Sequence, residues 1–105
     1  MPAPNPLRLY QQQAVRSASP AELADKLYSI GVTAARAGDD VRTRRALVEL
    51  SASLDHERGG EIAARLSDLY DWAIRATSTG DLDAVADVLD GLRDAWRQST
   101  LALAA

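Results

Sequence analysis

A polar corner followed by an unbroken helical repeat, between Leu54 and Trp72, constrains this chain more than any other feature. Asp55-His56-Glu57-Arg58 is too polar and too short to bury, and the Gly59-Gly60 pair after it breaks a helix. Beyond the pair, Ile62, Leu66, Leu69, Tyr70, Ala73 and Ile74 recur three and four residues apart, the interval of a helical face. Glu61 falls in the first turn, where a carboxylate meets the positive end of the helix dipole. A corner of this kind divides the chain into two helical hairpins.

Similar punctuation places the other elements. Ser19 can cap a helix, Pro20 suits its first position, and Glu22 stands where a capping box needs an acid. A helix is predicted over 20–37, stopped by Gly38 as a left-handed residue. Asp39 and Asp40 are caps for a second, 41–54, with Leu47, Leu50 and Leu54 inward and Val48 and Ala52 alongside. The third is predicted over 60–78. Thr79-Gly80-Asp81 stops it and starts the last, 82–103, whose Val85, Leu89, Leu92, Trp96, Ser99 and Leu103 make a coiled-coil-like seam. Ahead of all four, Pro2, Pro4 and Pro6 favour extended chain, and Leu7, Tyr10, Ala14 and Val15 give barely two turns of helical period. Residues 1–16 therefore read as an N-terminal arm that would need docking to be ordered. Short connections make consecutive helices antiparallel neighbours. The expected fold is all-α: an up-down-up-down four-helix bundle in one domain, 1–105, with a short N-terminal helical segment.

Several chemistries are disfavoured. With no cysteine among the 105 residues there is no disulfide framework, thiol nucleophile or zinc-thiolate site, which suits a reducing compartment. The single histidine, His56, lies in the polar corner and can supply neither a triad base nor the paired Glu-x-x-His ligands of a di-metal bundle. Gly59-Gly60 lacks the strand and lysine of a phosphate loop. No catalytic residue, metal ligand or cofactor is assigned, and an enzyme is not expected. Net charge is −3, and Arg42, Arg44 and Arg45 read as a solvated helix face, so nucleic acid is not an expected partner. No apolar run approaches the roughly 20 residues that span a bilayer, and MPAPNPLRLY has no apolar core of a secretory signal. A cytoplasmic protein without membrane insertion is expected.

The ordered residue pattern resembles the flagellar secretion chaperones, which bind flagellin in the bacterial cytoplasm before export. The likeness begins with Tyr10-Gln11-Gln12-Gln13-Ala14-Val15 and Ser17-Ala18-Ser19-Pro20-Ala21-Glu22-Leu23. It continues with Leu27-Tyr28, then Leu54 through Ala63 with Leu66 and Leu69-Tyr70-Asp71, and closes on Ala95-Trp96. There are departures. The hairpin between Leu27 and Leu54 is shorter than the family's by about two turns on each side. Ser29-Ile30 replaces the family's Asp-Gly, moving the glycine to Gly31, and Trp72 stands where tyrosine is common.

The resemblance implies a client, the disordered C-terminal segment of flagellin, which becomes helical as it wraps the bundle. Covering that segment would block premature polymerisation until delivery to the type III export apparatus, whose gate components are further expected partners. The residues suggest where a client helix could lie. Leu23, Leu27, Ile30, Ala34 and Ala37 form one stripe on the first long helix, and Tyr28, Gly31, Val32 and Ala35 a second beside it. Together they cover an apolar arc of roughly 200°, more than one core-facing stripe needs. The expected groove is lined by Tyr28, Val32 and Ala35, with Val48 and Ala52 from the next helix. In the family the N-terminal segment can lie over the client groove, and Leu7, Tyr10 and Val15 are its expected contacts here. The rival reading is a self-associating bundle or adaptor without flagellin as client, its surplus stripe or 82–103 seam serving a homodimer.

Overall fold

A computed structural model describes residues 19–104, with side chains described as far as Ser99. The expectations at Leu7, Tyr10 and Val15, and at the Leu103 end of the seam, lie outside those limits. Four helices follow in order: α1 Pro20–Arg36, α2 Asp40–Ala52, α3 His56–Ser78 and α4 Leu82–Ala104. The bundle is all-helical, as the periodicity requires.

The helix ends are set by local chemistry. Ser19 Oγ accepts from the Glu22 amide at 3.2 Å, Asp39 from that of Arg42 at 3.0 Å, and Asp55 from that of Arg58 at 3.1 Å. Each satisfies one of the amides a helix start leaves without a partner. At two of the far ends the amide two residues past the cap reaches back to the third-last carbonyl. These bonds are Asp39 N to Ala34 O at 2.9 Å and Asp81 N to Ala76 O at 3.2 Å, with left-handed Gly38 and Gly80 at the turning points. The corner at 55–60 differs in detail from a plain break. His56 to Gly59 already form a turn of helix, and the discontinuity sits at Gly60, with φ 49° and ψ −123°. That conformation is costly for a residue with a Cβ, so α3 changes direction there.

Helix α1 is the centre of the package. It packs along α2 on one side and along α4 on the other, α2 packs on α3, and α3 and α4 barely touch despite the short turn joining them. Tyr28, Val32, Leu47, Leu50, Tyr70, Ala73, Val85 and Leu89 make the common core. A ladder of polar bonds ties α1 to α4 in antiparallel register: Arg97 to Asp25 at 2.6 Å, Arg93 to Ser29 at 3.2 Å and Arg36 to Asp87 at 2.8 Å. The Trp96 indole adds a bond to the Ala21 carbonyl at 3.0 Å. The hydrogen bond from Arg97 holds the Asp25 carboxyl below its ordinary value. On the other flank, Arg44 donates to Thr77 at 3.1 Å and links α2 to α3. That gives one residue of the arginine cluster a structural task, while Arg42 and Arg45 remain on the exposed face.

Gly31 permits the close approach of α1 and α4. A Cβ at that position would stand 2.8 Å from Leu89 Cδ1 and 3.7 Å from Ala46 Cβ. Leu89 is fully buried and has little room to retreat. Gly31→Val is expected to lower stability by about 1–3 kcal/mol through overpacking. Urea denaturation followed by circular dichroism checks this; an unchanged midpoint would mean that α1 and α4 are not clamped here.

Candidate client-binding groove

The residues that face inward on α3 are mostly small: Ala63, Ala73, Ala76 and Thr77, with Tyr70 among them. Small residues let the helix sit close to α2, and its larger apolar residues then fall on the flank. Ile62 is 71% exposed and Leu66 is half-buried. Near the corner this flank looks across to the start of α1, the end of α2 and Trp96 of α4. Between them lies an open groove of about 510 Å³. Leu23, Ala24 and Tyr28 of α1, Leu50 and Leu54, Ile62, Ala63, Leu66 and Tyr70 of α3, and Trp96 form its mostly apolar lining. Pro20 and Gly59 stand at its ends of α1 and α3.

The polar groups of this lining are largely committed to the chain itself. Ser53 Oγ donates to the Leu50 carbonyl at 2.7 Å, Asp55 caps α3, and the Trp96 indole serves Ala21. Tyr28 and Tyr70 meet hydroxyl to hydroxyl at 2.6 Å, a buried contact joining α1 to α3. Burial raises the Tyr28 phenol above its ordinary value, and burial together with the hydrogen bond shared with Tyr28 raises that of Tyr70 further. A buried phenolate would lose hydration that its surroundings do not replace.

The five groove residues expected from the sequence do not meet on one surface. Tyr28, at 2% exposure, forms part of the groove above, but Val32 and Ala35 are buried among the helices and do not line it. Val48, 50% exposed, and Ala52 lie on the outside of α2, away from this groove. The reason is the double packing of α1: the Tyr28–Val32–Ala35 side of its wide apolar arc is taken up between α2 and α4, while Ile30 on its outer edge stays 39% exposed. The 82–103 seam is likewise turned inward as far as Trp96, with Val85 and Leu89 fully buried and Leu92 and Trp96 packed on the core, while Ser99 is exposed. In the sequence Leu54 belongs to a core stripe, Ile62 and Leu66 share one helical face with Tyr70 and Ala73, and Trp96 belongs to the 82–103 seam. The signal that distinguishes them is the alanine stripe at 63, 73 and 76, which claims the inward face of α3 and displaces its larger neighbours. Among the described residues no cluster of histidine, cysteine, aspartate or glutamate is arranged to hold a metal ion, and no helix is long and apolar enough to cross a membrane.

The described residues thus form a helical bundle with an open apolar groove on one flank. Comparison with known proteins gives that bundle a family. The family model described as flagellar protein FliS matches residues 39–102, more than half of the chain. The flagellar secretion chaperone FliS of Salmonella typhimurium is 36% identical over 110 residues, covering 83% of this chain and 81% of the relative. That of Campylobacter jejuni is 39% identical over 64 residues, covering 54% of this chain and 50% of the relative. The chain belongs to the FliS family of flagellar secretion chaperones, a family of chaperones and not of enzymes. No solved structure gives a significant match.

The raised phenols set a stability limit at high pH. An unfolded tyrosine ionises near 10.0, whereas the folded Tyr28 and Tyr70 resist ionisation beyond it. The folded state then retains protons that the unfolded state releases, so stability is complete below pH 10 and declines as pH rises above it. Urea midpoints measured across this range should fall more steeply for the natural chain than for Tyr28→Phe/Tyr70→Phe. Parallel slopes would show that the pair ionises as freely in the fold as in the unfolded chain.

Proposed function

We propose that this chaperone holds the disordered C-terminal segment of flagellin, in helical form, in the groove between the starts of α1 and α3. The observation that carries this reading is the apolar groove left open by a chain of the FliS family, with Ile62 standing largely exposed at its rim. An exposed side chain of that size near Leu54, Leu66 and Trp96 is the feature an amphipathic helix uses as its anchor. Each Å² of apolar surface covered contributes about 25 cal/mol, against a cost of ordering the client, so contact must extend beyond the groove itself. While bound, the segment would be kept from polymerising, and its release would deliver flagellin to the type III export apparatus from the cytoplasmic side. Components of the export gate are the natural acceptors of such a delivery.

The short α1–α2 hairpin is compatible with this role. Its tip, around Gly38, lies at the same end of the bundle as the Gly80 turn, since Arg36 meets Asp87 and Arg44 meets Thr77. The groove is at the opposite end. Shortening there trims the wall along which a client could continue, and leaves the groove whole.

Ile62→Asp is expected to weaken binding of a flagellin C-terminal segment at least tenfold in titration calorimetry, because a charge in an apolar contact is costly. Helix content should not change, given the exposure of Ile62. Val48→Asp, outside the groove, should bind nearly as well as the natural chain. The reverse ranking would move the client to the outer face of α2.

The arm has a part in the same proposal. Pro20, the first residue of α1, lines the groove. Leu7, Tyr10 and Val15 supply an apolar face that can cover the groove and yield to the client. Deleting residues 1–16 should then tighten client binding severalfold in the same calorimetry. Unchanged affinity would remove the arm from the groove's role.

A further inference from the structure

Two phenols carry two hydroxyl hydrogens, and the 2.6 Å contact between Tyr28 and Tyr70 uses one of them. The accepting tyrosine still has a hydrogen to donate. Among the described residues, neither hydroxyl has a second hydrogen-bond partner. Both residues are 2% exposed, and a buried donor without an acceptor lowers stability. The other polar side chains of the groove, Ser53, Asp55 and Trp96, each already bond to the backbone. The tyrosine pair therefore carries the uncommitted hydrogen of this lining. Both residues belong to the groove's lining, so the groove is the side from which an acceptor outside the chain would reach the pair.

We propose that the Tyr28–Tyr70 hydroxyl pair is a specificity-determining site that receives one side-chain carboxamide, from asparagine or glutamine, on the docked client helix. The inference rests on the groove being the client site. The choice of a carboxamide follows from what the pair presents, one hydrogen to give and oxygen lone pairs left over. A carboxamide both accepts and donates, so it answers both. A carboxylate only accepts, and would carry its charge into an apolar lining. A serine or threonine hydroxyl has the same dual capacity but a shorter reach, and the phenol oxygens are buried. The raised phenols remain protonated throughout the neutral range, so the donor is always present. In such a groove an apolar client residue placed over the pair would seal an orphaned donor beneath it. Mispositioned or unrelated amphipathic helices are discriminated against by that cost.

The test uses the full chain and a synthetic peptide of the C-terminal segment of flagellin encoded in the same genome. Each asparagine and glutamine of the peptide is replaced in turn by leucine, and affinities are measured by calorimetry for the natural chain and for Tyr28→Phe/Tyr70→Phe. The double variant removes both hydroxyls and orphans neither. One peptide substitution is expected to cost the natural chain about five- to tenfold in affinity and the double variant nothing. The single variants Tyr28→Phe and Tyr70→Phe each leave one hydroxyl with its hydrogen free, so they are expected to retain the sensitivity that the double variant loses. Equal losses for natural and variant chains at every peptide position would overturn the inference while leaving the groove as the client site. Failure of the unmodified peptide to bind the natural chain would overturn the client reading itself, and this inference with it.

Discussion

The structure depends on α1 being packed on two flanks at once. Its apolar arc is wide because α2 and α4 each claim a side of it, and Gly31 lets α4 come close. The polar ladder from Asp25–Arg97 to Arg36–Asp87 holds that register on the outer side. Individually such exposed pairs contribute little. Together with Trp96 they fix α4 against α1. Once α4 is committed to α1 and α3 to α2, the remaining side of the square, between α3 and α4, is left thin. The groove opens at the end of that side remote from the Gly80 turn.

The opening is maintained by a balance of side-chain sizes. Alanines draw the inward face of α3 toward its neighbours, and the kink at Gly60 sets the direction in which the helix arrives. Ile62 and Leu66 are consequently held on the flank, where closing over them would require α3 to roll and expose its alanine face. The Tyr28–Tyr70 bond resists that movement, since it joins α1 to α3 at the groove's inner boundary. An open apolar surface is thus kept in place by the same packing that stabilises the bundle.

Much of the fold was legible from punctuation. Ser19 with Glu22, Asp39 before Arg42, Gly38 and Gly80 all act locally, and local chemistry can be read one residue at a time. The groove was not legible, because its position depends on which neighbours consume which stripe. The breadth of apolar surface on α1 suggested a surplus there. In the folded chain that breadth meets two partners, and Val32 and Ala35 disappear inside. The groove takes its open apolar surface from α3, whose large residues at 62 and 66 share an interior-like spacing with Tyr70 and Ala73 but lie to one side of the alanines. Hydrophobicity alone does not separate those faces; residue size does, through how closely each allows a neighbouring helix to approach. Tyr28 is common to both placements, because it reaches from α1 to the groove while its own surface is buried.

Amide hydrogen exchange, measured on the chaperone alone and with the C-terminal segment of flagellin from the same genome, bears most directly on where the client sits. Added protection is expected along the first turns of α1, the 54–70 stretch and the turn of α4 around Trp96, with 41–49 unchanged. Protection centred on 41–52, or none anywhere at saturating client, would contradict a client site at this end of the bundle.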